Sequence, residues 1–134
     1  MGSNAQQTDA FQLPFPVPHV RWVDITYTTT AETKIVKVPS GATIKDVYAS
    51  VQTAFNDSGT DLIKVQRSGQ SAGELASIDG STIGLVRGTA LATAADAVQR
   101  MGADTDITVQ YVGQNANSSA GAARVFVEYW PPNQ

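Results

Sequence analysis

A chain of 134 residues is long enough for one domain with a real core, and with no cysteine it can hold no disulfide, thiolate metal site or cysteine nucleophile. Nine Lys and Arg against twelve Asp and Glu leave a net charge of −3, and the bases stand singly, so no basic stripe exists to neutralise phosphates and nucleic acid is not an expected partner. No apolar run approaches the roughly 20 residues of a membrane span, and no basic segment leads into an apolar one, so a soluble chain without a membrane partner or an export signal is expected.

Residues 1–5, Met-Gly-Ser-Asn-Ala, look like an expression-tag remnant. Residues 6–19 form a Pro-rich N-terminal arm. Pro14, Pro16 and Pro18 lack an amide donor, and each biases the residue before it toward extended geometry. Such a segment does not belong in the middle of a sheet, yet Phe11, Leu13, Phe15 and Val17 are too apolar for a solvated tail. The arm either lies across its own domain or packs on a neighbouring subunit. Residues 20–134 read as a single β-sandwich domain, with no repeat and no internal boundary.

In "VRWVDITYTTT", Val23, Ile25 and Tyr27 alternate with Trp22, Asp24 and Thr26, which predicts a strand. "TKIVKVPSG" is a second strand, ending in a Pro39-Ser40-Gly41 turn. The segment 44–55 is ambiguous. Ile44, Val47, Tyr48, Val51 and Phe55 fit one face of a helix, and Thr43 and Asp46 mimic a capping box, whereas Val47, Ala49, Val51, Thr53 and Phe55 fit one face of a strand. The strand is favoured, because strands flank the segment and the "NDSGTD" turn leads directly into "LIKVQR".

The Gly/Ser-rich stretch 68–88 is expected to hold short strands around "ELASI" and "TIGLV", with a tight turn at Asp79-Gly80. "TALATAADAVQRMG" is the one helix candidate. It puts Leu91, Ala94, Val98 and Met101 on one side and Gly102 at its end. "TDITVQYVG" and "AARVFVEYW" are two strong strands joined by a loop of small residues. Seven or eight short alternating strands imply an all-β fold, an antiparallel β-sandwich, jelly-roll-like, with at most one short helix.

The last strand poses a question. Val125, Val127 and Tyr129 point one way, and Phe126 and Trp130 point the other, so both faces are partly apolar. Something has to cover the second face.

No constellation of catalytic residues is legible. Gly69-Gln70-Ser71-Ala72-Gly73 matches the G-x-S-x-G nucleophile elbow, but the only histidine, His19, precedes it and the βα alternation of that fold is missing. His19 has no companion histidine or cysteine for a metal, so a surface or packed role is expected. Asp57, Gly59 and Asp61, like Asp104 and Asp106, faintly resemble a cation loop. Without a full ligand set, turns that cap their own backbone are expected there. No catalytic residue, cofactor or metal is therefore assigned. The aromatics Trp22, Tyr27, Tyr48, Tyr111, Phe126, Tyr129 and Trp130 suit either a sugar-binding platform or core and interface packing, the latter being the commoner use.

Two stretches together, "KIVKVPSGATIKDVYASVQTAFNDSGTDLIKV" and "TDITVQYVGQNANSSAGAARVFVEYWPP", resemble small virion structural proteins of tailed bacteriophages, of the head-decoration, head-fibre or tail-associated type. The matching elements are Val38-Pro39-Ser40-Gly41, Ala54-Phe55-Asn56, the Gly-Ala-rich hairpin, and Val125, Val127 and Tyr129. They are β-structure punctuation rather than chemical motifs.

The resemblance implies repeated subunits on a virion, not turnover: a homo-oligomer, with a trimer expected, and other virion proteins as partners. The expected interface is Phe11, Leu13, Phe15, Val17, Trp22, Phe126 and Trp130, with cover from elements of the same chain as the competing account. A carbohydrate- or receptor-binding sandwich is the alternative function.

Overall fold

A computed structural model describes residues 17–89 and 100–132. Eight strands form among the described residues: β1 (His19–Thr26), β2 (Thr33–Val38), β3 (Thr43–Thr53), β4 (Asp61–Arg67), β5 (Ala76–Asp79), β6 (Gly84–Arg87), β7 (Thr105–Gly113) and β8 (Ala122–Trp130). They build two four-stranded sheets, ordered β1-β8-β3-β6 and β2-β7-β4-β5, in which every pairing is antiparallel. The expected antiparallel β-sandwich is what forms, with no helix among the described residues.

The strand order has a simple origin. Pairings β1·β8, β2·β7, β3·β6 and β4·β5 make the chain one long hairpin with its tip between β4 and β5. In each sheet, rolling this hairpin brings a second contact, β8 against β3 and β7 against β4. Every link between consecutive strands except β4–β5 therefore crosses from one sheet to the other.

Strand periodicity sorts the side chains. Along β8, Ala123, Val125, Val127 and Tyr129 are buried, while Arg124, Phe126, Glu128 and Trp130 are half-buried on the outer face. Segment 44–55 is strand, as favoured. Its mixed signal has a physical source: the register of β3 on β8 slips between Ile44 and Asp46 and again between Val51 and Thr53. The first slip puts Ile44 and Val47, three residues apart, on the same buried side. Three-residue spacing imitates a helix.

The helix candidate fares differently. Residues 90–99 lie outside the described residues, but its last two are not helical. Arg100 bridges Thr43, and the Met101 N–H donates to the Ala42 carbonyl at 2.8 Å. At these two residues pairing with the start of β3 outweighs the local helical preference, and Met101 is buried in the core as a result.

One rim of the sandwich is sealed by the β1–β2, β3–β4, β5–β6 and β7–β8 links. Phe55 plugs it, with its ring 4.6 Å from that of Tyr111 and its N–H donating to the Gly80 carbonyl at 3.0 Å. Gly121 has φ +147°, and a Cβ there would run into the Phe55 ring, so glycine is required on both counts. Around the plug, the Asp57 carboxylate accepts backbone N–H groups from Gly59 (2.7 Å), Asn115 (3.0 Å) and Asn117 (3.1 Å). Asp61 accepts from the Asp57 N–H (2.8 Å) and the Tyr111 hydroxyl (2.6 Å). The Asp-rich turn thus caps its own backbone at Asp57 and Gly59, as expected, and Asp57 also ties it to the β7–β8 loop.

Candidate functional site

The two sheets present different outer faces. That of β2-β7-β4-β5 is polar and partly closed by the β4–β5 loop. There Gly73 N–H donates to Gln66 (3.1 Å), Gly69 N–H to Glu32 (3.2 Å), and Arg67 forks onto Glu74 (2.6 and 3.1 Å). Ser71 of the G-x-S-x-G match sits exposed in this loop, which leads to β5 and not to a helix. His19 is in β1, its Nδ1 3.3 Å from the Tyr129 hydroxyl and its ring edge-on to that of Tyr129. Neither residue has the setting of a nucleophile or its base. Among the described residues no cluster of His, Cys, Asp or Glu suits a metal ion.

The outer face of β1-β8-β3-β6 is aromatic. Antiparallel register aligns Trp22, Phe126, Tyr48 and Arg87 in one row across all four strands. Tyr48 stacks on Phe126 with ring centroids 5.0 Å apart, and the Arg124 guanidinium lies 3.7 Å over the Trp22 ring. Lys45 reaches within 5.9 Å of the Trp130 ring. The second face of β8 is therefore partly covered by its own chain, through Tyr48 and Lys45. Trp22 is still 49% exposed at the β1 edge, and Leu85 is 68% exposed at the opposite, β6 edge.

Charges interleave with the rings, and six of them pair on the same face. Arg124 donates to both oxygens of Asp24 (2.9 and 3.2 Å), Lys45 pairs with Glu128 (3.2 Å), and Arg87 pairs with Asp46. The bond from Arg124 holds the Asp24 carboxyl below its ordinary pKa. The Tyr48 hydroxyl donates to Glu128 and holds that carboxyl low, with Lys45 adding to the effect. Burial, and then Glu128 itself, pushes the Tyr48 phenol up to about 12.

Of the expected interface residues, Trp22, Phe126 and Trp130 come together on this face. Val17 is 58% exposed just before β1, and Phe11, Leu13 and Phe15 lie outside the described residues. The sequence reading missed Tyr48 as a member of the row, the three ion pairs, and Ile83 and Leu85, which are 65% and 68% exposed at the β6 edge. Only the register between strands distant in sequence could have revealed the row. Of the other aromatics, Tyr111 and Tyr129 are core, and Tyr27 lines a pocket of about 310 Å³ with Thr30, Tyr111 and Ser118 at the sealed rim.

Acid should weaken this fold in a defined window. Asp24, Glu128, Glu32 and Asp79 all have lowered pKa values. For Asp57, burial works upward, but the amides of Gly59, Asn117 and Asn115 outweigh it and the net direction is down. Groups with depressed folded pKa values stabilise fully above their unfolded values, about 4, and lose that contribution as pH falls through the folded ones. Thermal unfolding should be nearly flat from about pH 7 to 5 and fall steeply below about pH 4. Glu128→Gln and Asp57→Asn should each make the fall shallower. A melting temperature unchanged between neutral and acid pH would contradict the assignment.

No protein-family model matches this chain. No curated protein matches it either. Solved structures that contain a chain of the same fold include two phage capsids. One is the acidic stable capsid structure of the Helicobacter pylori bacteriophage KHP30, with TM-score 0.64 and 15% identity over 87% of this chain and 90% of that one. The other is the capsid asymmetric unit of the cyanophage Pam1, with TM-score 0.58 and 19% identity over 90% of this chain and 89% of that one. At these identities the likeness is one of fold.

Proposed function

We propose that this chain is a non-enzymatic structural protein of a bacteriophage virion, attached to the capsid as a decoration or head-associated subunit that self-associates, with three copies the expected number. The observation that carries this reading is the end-to-end match to chains of two phage capsids. Coverage near nine-tenths in both directions makes those chains of about this length, rather than large proteins with this fold embedded in them. The strand order is that of an eight-stranded jelly roll, a plan common to viral capsid and lectin domains, so fold alone does not select between these uses.

The surface supports assembly over sugar binding. A sugar platform needs open ring faces, whereas Arg124 occupies one face of Trp22, and Tyr48 and Phe126 cover each other. Glycan or receptor binding remains the second reading, favoured by the exposure of Trp22 beside the Asp24–Arg124 pair.

The test is retention. Mixed with capsids assembled without it, the protein should co-sediment with them, and by itself at micromolar concentration it should sediment as an oligomer. A compact monomer that neither capsids nor tails retain would sink this reading. Loss of binding in a glycan screen on Trp22→Ala would favour the second one.

A further inference from the structure

We infer that the aromatic outer face of the β1-β8-β3-β6 sheet is the docking site for the N-terminal arm, residues 11–16, of a second copy of this chain. The inference rests on the self-association reading above and names the surfaces involved.

Two observations select the occupant. The first is charge. Six ionised side chains described on this face form three internal pairs, Asp24–Arg124, Glu128–Lys45 and Asp46–Arg87, while Arg100, bridged to Thr43 at the Trp130 end, stands exposed. A covering segment with charges of its own would bury them unmatched, whereas an uncharged one leaves these three pairs intact. Residues 10–18, Ala-Phe-Gln-Leu-Pro-Phe-Pro-Val-Pro, carry no charge, and every second position from 11 to 17 is apolar.

The second observation is direction. Leu13, Phe15 and Val17 each precede a proline, which restricts them to extended backbone. Six residues in such a run reach about 19 Å at roughly 3.1 Å each, without a reversal. The described chain begins at Val17, two residues before β1, whereas Trp22 lies further along that strand. Covering its own Trp22 would require the arm to double back within the proline run. This bias toward extended geometry favours contact of Phe11, Leu13 and Phe15 with another copy over contact with their own Trp22.

Four samples of the full chain test this by sedimentation velocity: the unaltered chain; an arm variant, Phe11→Ser, Leu13→Ser and Phe15→Ser together; a face variant, Trp22→Glu; and an equimolar mixture of the two variants. The unaltered chain should associate, and each variant alone should associate about tenfold more weakly or worse. The mixture should recover a one-to-one pair, because the intact arm of the face variant meets the intact face of the arm variant.

If the arm variant associates as well as the unaltered chain, or the mixture recovers nothing, the docking inference is overturned while self-association stands. An unaltered chain that stays monomeric takes down the reading beneath it. Should Trp22→Glu fail to fold by circular dichroism, Leu85→Glu on the same face replaces it. In a Trp130→Phe chain, whose single remaining tryptophan is Trp22, association should also shift the fluorescence to the blue.

Discussion

Phe55→Ala should lower the free energy of unfolding by about 3–5 kcal/mol, seen in a urea titration as an earlier midpoint with an unchanged slope. The ring is 2% exposed, lies against Tyr111, and fills the space that Gly80 and Gly121 leave by having no side chain. Truncation leaves a cavity that the neighbourhood cannot close. Gly80 is held by its bond to the Asp61 carbonyl (2.9 Å), and Tyr111 by its hydroxyl bond to Asp61 (2.6 Å). Phe55→Leu should recover part of the loss, since some of the volume returns. A cost below about 1 kcal/mol for the alanine variant would mean that the rim closes without its plug.

Val125→Asp should be at least as damaging, costing about 3–5 kcal/mol or more, because it leaves a carboxylate in the core with no partner. Val125 is fully buried in β8, opposite Val23 on β1 and Ala49 on β3. Against a total stability of about 5–15 kcal/mol for a domain of this kind, such a loss populates the unfolded state. Phe126→Asp, one residue on, places the charge on the outer face. It forfeits the stack on Tyr48, worth about 1 kcal/mol, together with some half-buried area, and the chain should stay folded. Thermal melts of the two variants decide the matter, and equal losses would show that the phase of the strand is misassigned.

That phase was legible because β8 alternates without interruption: Val125, Val127 and Tyr129 announce the core side from spacing alone. β3 was harder to read, since two register slips break its period, and a slip depends on the partner strand rather than on local residues. Arg100 and Met101 were misread for a related reason. Their helical company in the sequence says nothing of Ala42 and Thr43, which pair with them across more than fifty residues. For the outer face, the sequence supplied Trp22, Phe126 and Trp130 as surplus apolar residues. It could not supply Tyr48 as their neighbour or the matching of Asp24 with Arg124. Both depend on the order of strands in the sheet, which rolling the hairpin decides and which no short window of residues contains.

Because His19 stands opposite Tyr129, the strand that opens the fold and the strand that closes it meet at one pole of the molecule. The other pole is the rim stoppered by Phe55 and laced by Asp57. A short bridge from the end of β8 to the start of β1, with a new opening cut in the β4–β5 loop, would give a circular permutant that keeps every strand pair. Cargo fused directly after β8 would leave from the pole where β1 begins, away from the stoppered rim.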